Sequence, residues 1–319
     1  MATPAFSPAF VLRSTVAFGF AALLAACGGG SSSESEPLAD AELISRTMEA
    51  SGPAEAAATA HYARLSEVRA KIGLGTLKWN GKLAQAAQGH ADYLAMHREA
   101  GHEQTPDTAG FTGVSIADRV RAAGYAGQLV QETKAGGQSR TAAEGRERMD
   151  ALLLAPLHRL QLLAPEFDEA GVGVAAQGGP LVTDLGASGN RTRARERRWM
   201  YPYNGQAGVG AAFAPGTEVG LPDDLPQWTG TPLTLSGFLF SMVSYSAVAL
   251  QEEQTGVEVP LLAQVPPGEI RAALVFFPLQ PLKPATHYVW RITATVDRMP
   301  ATTVAKFITA EAAAAGVTD

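Results

Sequence analysis

From about residue 52 to 160 apolar side chains recur at helical spacing, and from about 199 to 310 they come in short β-branched and aromatic runs broken by Pro and Gly. The first half predicts a helix from Ala54 to Ile72, stopped by Gly73 and Gly75. A second runs from Lys82 to Glu99, with Leu83, Ala86, Ala87, Ala91 and Leu94 on one face and Gly101 after it. Ser115 with Asp118, and Thr141 with Glu144, have the spacing of capping boxes, so two more helices start there. Pro156 interrupts the second of these, and His158 to Leu163 resumes a helical turn. Gly171 to Ala175 and Pro180 to Asp184, with glycines between them, read as a β-hairpin. The later half has its strongest strand patterns at Leu233 to Ser246, Ala272 to Phe276, His287 to Val296 and Ala305 to Ile308. Two folded domains follow, a mixed helix-and-sheet domain over 52–187 and an all-β sandwich over 199–312. The polar stretch 188–198 between them holds five arginines and reads as a solvated hinge in preference to a lipid-headgroup or polyanion site.

The start of the chain has its own pattern. Residues 1–26 give a single basic residue, Arg13, then an apolar run too short to span a bilayer. The run ends Leu24-Ala25-Ala26-Cys27, which resembles the lipobox of bacterial lipoproteins. The resemblance implies cleavage before Cys27 and lipid on its thiol, and several acyl chains together anchor stably. Residues 27–51, opening with a Gly/Ser run, read as a tether. No Asp follows Cys27, which by the same resemblance favours an outer membrane. Cys27 is the one cysteine in 319 residues, so the domains after it have no disulfide, no thiol nucleophile and no Cys-bound metal. A net charge of −6 implies no broad basic surface and argues against nucleic acid as a partner.

The candidate chemistry sits in the first domain. His102, Glu132 and His158 each lie at an element end, where side chains converge in clefts. No compact motif contains them: His102-Glu103 begins like H-E-x-x-H, but Pro106 stands where the second His belongs. Gly186-Ala187-Ser188-Gly189-Asn190 fails as a nucleophile elbow. Two imidazoles and a carboxylate can hold a divalent cation such as zinc, or form a hydrogen-bonded cluster in which Glu132 fixes a histidine tautomer. His90 reads as packed against a neighbouring helix and His61 as a surface residue, while Arg119 and Arg159 are candidates for structural ion pairs.

Seven segments in order then resemble one family. Gly73-Leu74-Gly75-Thr76-Leu77-Lys78-Trp79 is similar to the "GL-x-x-L-x-W" stretch of CAP-superfamily (SCP/PR1-like) domains, and Leu83 to Ala91 to their second helix. Gly101-His102, the segment Phe111 to Tyr125, Glu132, Leu157-His158-Arg159-x-x-Leu162-Leu163 and Gly171-Val172-Gly173-Val174 resemble the motifs that follow. The resemblance covers about residues 55 to 187. It implies a fold class of α+β, a three-layer α-β-α sandwich, with His102, Glu132 and His158 lining a central cleft. The second acidic residue of that cleft has no counterpart at Leu154 to Pro156. Pro281-Leu282-Lys283-Pro284-Ala285-Thr286-His287-Tyr288 and Phe307-Ile308-Thr309 resemble bacterial Ig-like modules. The function implied is a non-enzymatic binding module for a lipid, small hydrophobic or peptide-like ligand, or for envelope partners. A metal-assisted hydrolase of an envelope polymer or peptide is the alternative, with no certain cofactor, and a structural envelope protein the third.

Overall fold

In the computed structural model, residues 55–98, 101–127, 129–189, 197–264 and 272–311 are described. Cys27, its tether and most of the arginine-rich stretch lie outside them. α1 (Ala56–Lys71) and α2 (Gly81–His97) follow the first two helical stretches of the pattern. α3 (Ile116–Ala122) and α4 (Ala142–Leu154) begin at the two capping boxes, whose side-chain and backbone bonds are both reciprocal. α5 (Pro156–Leu162) opens with Pro at its first position, where a missing N–H is harmless.

Four strands form the sheet of this domain: β1 (Lys78–Trp79), β2 (Val130–Ala135), β3 (Glu169–Val174) and β4 (Leu181–Gly186), in the order β1-β3-β4-β2. β3 and β4 are the expected antiparallel hairpin. β1 and β2 escape the sequence pattern, β1 because it has two residues and β2 because Gln131, Glu132, Thr133 and Lys134 are all polar. α1, α4 and α5 pack together on one face of the sheet, and α2 and α3 on the other. Strand alternation divides the core accordingly. On β4, Leu181 and Leu185 join Tyr62, Leu65 and Met149, while Val182 joins Ala87, Ala91 and Leu94. On β3 the α2 side carries Gly171 and Gly173, and the helix backbone lies against them.

One polar residue expected outside is inside. His61 is fully buried and not at the surface. Its Nδ1 faces the Gly145 carbonyl and its Nε2 the Thr183 hydroxyl, each at 3.1 Å. The carbonyl fixes the proton on Nδ1, so Nε2 accepts from Thr183. A polar side chain on the inner face of a helix reads as solvated until its partners are known, and here they are 84 and 122 residues away. Burial lowers the His61 pKa to about 4, against the small raising effect of the Gly145 bond. The unfolded chain therefore takes up a proton first, near pH 6.5, so stability falls as pH drops from there through about 4. For His61 the change is on the order of 3 kcal/mol. Urea titrations at pH 7 and pH 4.5 should show this slope in the wild type and a shallower one in His61→Gln; equal slopes would refute it. Arg69 is likewise buried, with its guanidinium donating to the carbonyls of Leu162, Ala164 and Phe167 at 2.7–3.0 Å.

The later part is all β: β5 (Trp199–Tyr201), β6 (Gln206–Val209), β7 (Leu233–Ser236), β8 (Val243–Glu252), β9 (Leu261–Gln264), β10 (Ala273–Pro278), β11 (His287–Val296) and β12 (Met299–Thr309). They form two four-stranded sheets, β5-β7-β10-β9 and β6-β12-β11-β8. β11 alternates as expected, with Tyr288, Trp290, Ile292, Ala294 and Val296 turned inward. The run Leu233 to Ser246 is not one strand. β7 belongs to the first sheet and β8 to the second, and residues 237–242 carry the chain across. Phe240 has φ 65° in this bend, which a continuous strand excludes.

The two parts share their cores. Trp199, Tyr201 and Phe238 complete the cluster formed by α1, α4 and the sheet, and Leu160 of α5 packs with Phe213, Val275 and Phe277. Among the described residues no helix is long and apolar enough to cross a membrane.

Candidate functional site

A buried carboxylate, Glu132 on β2, organises the face of the sheet beneath α2 and α3. It is 2% exposed and three elements reach it. His102, in the loop after α2, brings Nδ1 to 2.8 Å from Oε1. Arg119 of α3, itself buried, donates from Nη2 to Oε2 at 2.6 Å. His90 of α2, fully buried, holds Nε2 3.5 Å from Oε1. Such convergence is what makes a buried charge tolerable: a paired, hydrogen-bonded carboxylate avoids most of the several kcal/mol that burial of an isolated ion costs.

The tautomers follow from the neighbours. Gln104 accepts the Thr112 N–H on Oε1 at 2.7 Å, so its Nε2 is the end that donates to His90 Nδ1 at 3.1 Å. His90 therefore carries its proton on Nε2, toward Glu132. Burial lowers the His90 pKa to about 4, Glu132 opposing and Arg119 assisting, so this ring is neutral near pH 7. His102 must donate from Nδ1 to the carboxylate, which leaves Nε2 unprotonated in the neutral ring. That nitrogen makes no hydrogen bond to any described residue, and the side chain is 55% exposed.

The loop that presents His102 is fastened at several points. Gln104 N–H donates to the Val114 carbonyl at 3.0 Å, and Tyr93 Oη accepts the Thr105 N–H at 3.0 Å. Arg119 Nη1 donates to the carbonyls of His102 and Val114 at 3.1 and 3.0 Å. One guanidinium thus holds both the carboxylate and the backbone of the histidine bound to it.

A second carboxyl stands directly across the ladder. Asp184 on β4 is in register with Glu132, fully buried, and neither of its oxygens has a hydrogen-bond partner among the described residues. Burial and then the Glu132 charge push its pKa well up, so Asp184 is a neutral acid beside an ionised one. For Glu132, burial raises the pKa, but the His102 bond and the Arg119 charge outweigh it and the net direction is down. The pattern read Asp184 only as a strand residue; a hairpin register has no signature in one sequence.

His158 is elsewhere. α5 lies with α1 and α4 on the opposite side of the sheet from α2 and α3. There the His158 Nδ1 and its backbone N–H both meet Glu218 Oε1 at 2.8 Å. Glu218, from the all-β part, caps the start of α5 with a buried carboxylate. Of the three residues singled out in the sequence, the structure joins His102 to Glu132 and gives His158 a different carboxylate. Arg159, expected in an ion pair, donates to the carbonyls of Leu153 and Pro232 at 2.9 and 2.8 Å and lies 4.4 Å from the centroid of the Tyr201 ring. Burial lowers its pKa to about 10.

A divalent cation does not fit this arrangement well. Arg119 already holds Oε2 and His102 donates a proton to Oε1, so a metal would have to displace both. Among the described residues no group of three or more His, Cys, Asp or Glu side chains is set to hold a metal ion. What the geometry supplies is a carboxylate-oriented imidazole with one free nitrogen at the surface.

Residues 62–182 match the family model described as CAP, the cysteine-rich secretory protein family. Among solved structures the chain is similar to an extracellular protein containing a SCP domain from Bacillus anthracis str. Ames, at 22% identity and a TM-score of 0.34. That likeness covers 40% of this chain and 39% of the other, so the chain spans about two fifths of that protein's length. No curated protein matches the chain.

Proposed function

From the CAP domain at residues 62–182, we propose that the chain is an exported binding module, tethered to the cell envelope by lipid on Cys27. Its ligand is a lipid, a small hydrophobic molecule with a polar head, or a peptide, and His102 Nε2 is the contact that orients it. The observation that carries this reading is the Glu132–His102 pair: a buried carboxylate pins a half-exposed imidazole in one tautomer and aims its free nitrogen away from the protein. Preorganised groups of this kind strengthen binding by sparing the ordering of a side chain, about 0.5–1.5 kcal/mol for each. The Leu24-Ala25-Ala26-Cys27 pattern supports the anchor, and the all-β part supports a spacer of the Ig-like kind.

Two measurements test it. Cys27→Ala should move the protein from the membrane fraction to the soluble fraction of the cells that make it. The His102 ring signals in an NMR spectrum should shift saturably with either a long-chain fatty acid or a short peptidoglycan stem peptide. Glu132→Gln should weaken that binding about tenfold, the result expected for about 1.4 kcal/mol of lost orientation. Silence of the His102 signals toward both ligand classes would end the binding-module reading.

A further inference from the structure

Three large apolar side chains stand in water at one end of the all-β part. Phe240 is 84% exposed, Met242 77% and Met299 55%. They belong to one tip. Met242 N–H and Ser241 Oγ both donate to the carboxylate of Asp297 at 2.9 Å, and Asp297 N–H donates back to the Met242 carbonyl at 2.9 Å. One step inward, Val296 pairs with Val243 on one side and Met299 on the other. The bend 237–242 and the β11–β12 turn are therefore fastened together, and Phe240 projects from a backbone held at φ 65°.

Arginines lie beside this tip. Arg198 donates to the carbonyls of Ala294 and Met299, each at 3.0 Å. Arg298 sits in the turn itself and is exposed, and Arg197, beside Arg198, is exposed as well. The nearby carboxylates are committed to local donors: Asp297 as above, and Glu166 to the Leu239 N–H. Isolated exposed apolar residues are ordinary; a braced group of Phe and two Met with arginines beside it is not. Its chemistry matches a bilayer surface, where apolar side chains enter the headgroup–acyl boundary and arginines meet lipid phosphates.

We propose that the Phe240–Met242–Met299 tip docks on a bilayer of anionic phospholipid. The proposal rests on the lipid-anchored reading for its setting in the cell: the 29 residues from Cys27 to Glu55 reach at most roughly 100 Å, which keeps the folded part within reach of the membrane. Its chemistry does not require the anchor, and the test omits it. The chain from Gly28 onward, which keeps every described residue, is sedimented with vesicles of phosphatidylglycerol and phosphatidylcholine or of phosphatidylcholine alone. Binding should favour the anionic vesicles, fall with salt, and drop at least about tenfold when Phe240, Met242 and Met299 are all changed to Ser. Phe240→Trp should give indole fluorescence that moves to shorter wavelength on those vesicles. No binding, unchanged binding by the triple variant, or a concentration-dependent dimer that the triple variant abolishes would each overturn the proposal, the last by giving the tip to a second copy of the chain. Because this chain lacks Cys27, failure here leaves the fractionation result for Cys27→Ala to stand or fall separately.

Discussion

Gly171→Ala is expected to destabilise the first domain by at least about 3 kcal/mol. A Cβ built on Gly171 comes within 2.0 Å of the Ala84 nitrogen, and one on Gly173 within 2.3 Å of the Gln88 nitrogen. Both atoms are backbone of α2, so no rotamer change relieves the overlap; either the helix lifts off the sheet or the strand shifts. Overpacking a core with one extra methyl group costs about 1–3 kcal/mol where side chains can move. Here they cannot, and a loss of at least about 3 kcal/mol is a large share of the 5–15 kcal/mol by which domains are stable. Lifting α2 would also take His90 and the root of the His102 loop away from Glu132. The measurement is thermal unfolding by circular dichroism, with Gly73→Ala as control. Gly73 has φ +80° but open space around it, so only the left-handed penalty applies, about 1 kcal/mol. If Gly171→Ala melts no lower than Gly73→Ala, the close approach of α2 to the sheet is not what holds this layer.

The second large effect belongs to Arg119. Arg119→Met removes the donor to Glu132 Oε2 and leaves the carbonyls of His102 and Val114 short of a partner. Breaking a buried pair from one side costs about 3–5 kcal/mol, because the other charge stays buried. Glu132 then faces Asp184 across the ladder with its main positive neighbour gone, and its pKa should rise. The double variant Arg119→Met/Glu132→Gln should be more stable than the single Arg119→Met, since no uncompensated charge remains. Denaturant titration of the four proteins gives the coupling directly. Strictly additive losses would mean that the two groups are not a pair in solution, and the orientation of His102 by Glu132 would lose its brace.

Much of the first domain follows from local chemistry. The two capping boxes start α3 and α4, Pro156 ends α4 and starts α5, and the glycines between Ala175 and Pro180 turn the β3–β4 hairpin. Such signals act over a few residues, so a single chain displays them in full. His102 and Glu132 were legible for another reason, their positions within an ordered set of motifs. Arg119 was legible as half of an ion pair, though not its partner.

Tertiary structure decided everything that depends on which distant residues meet. Asp184 faces Glu132 because β2 pairs with β4 in one register, and a slip of one residue would turn it to the other side of the sheet. His61 is buried because Gly145 and Thr183, on two other elements, close over it. The chain leaves one sheet after Ser236 and joins the other at Val243, where an apolar run shows no break. His158 finds Glu218, 60 residues on, because α5 packs with α1 and α4 and its first turn points at the all-β part. Local propensity carries no record of layer, register or partner; those are set when remote apolar faces close on each other and buried polar groups must find what lies opposite.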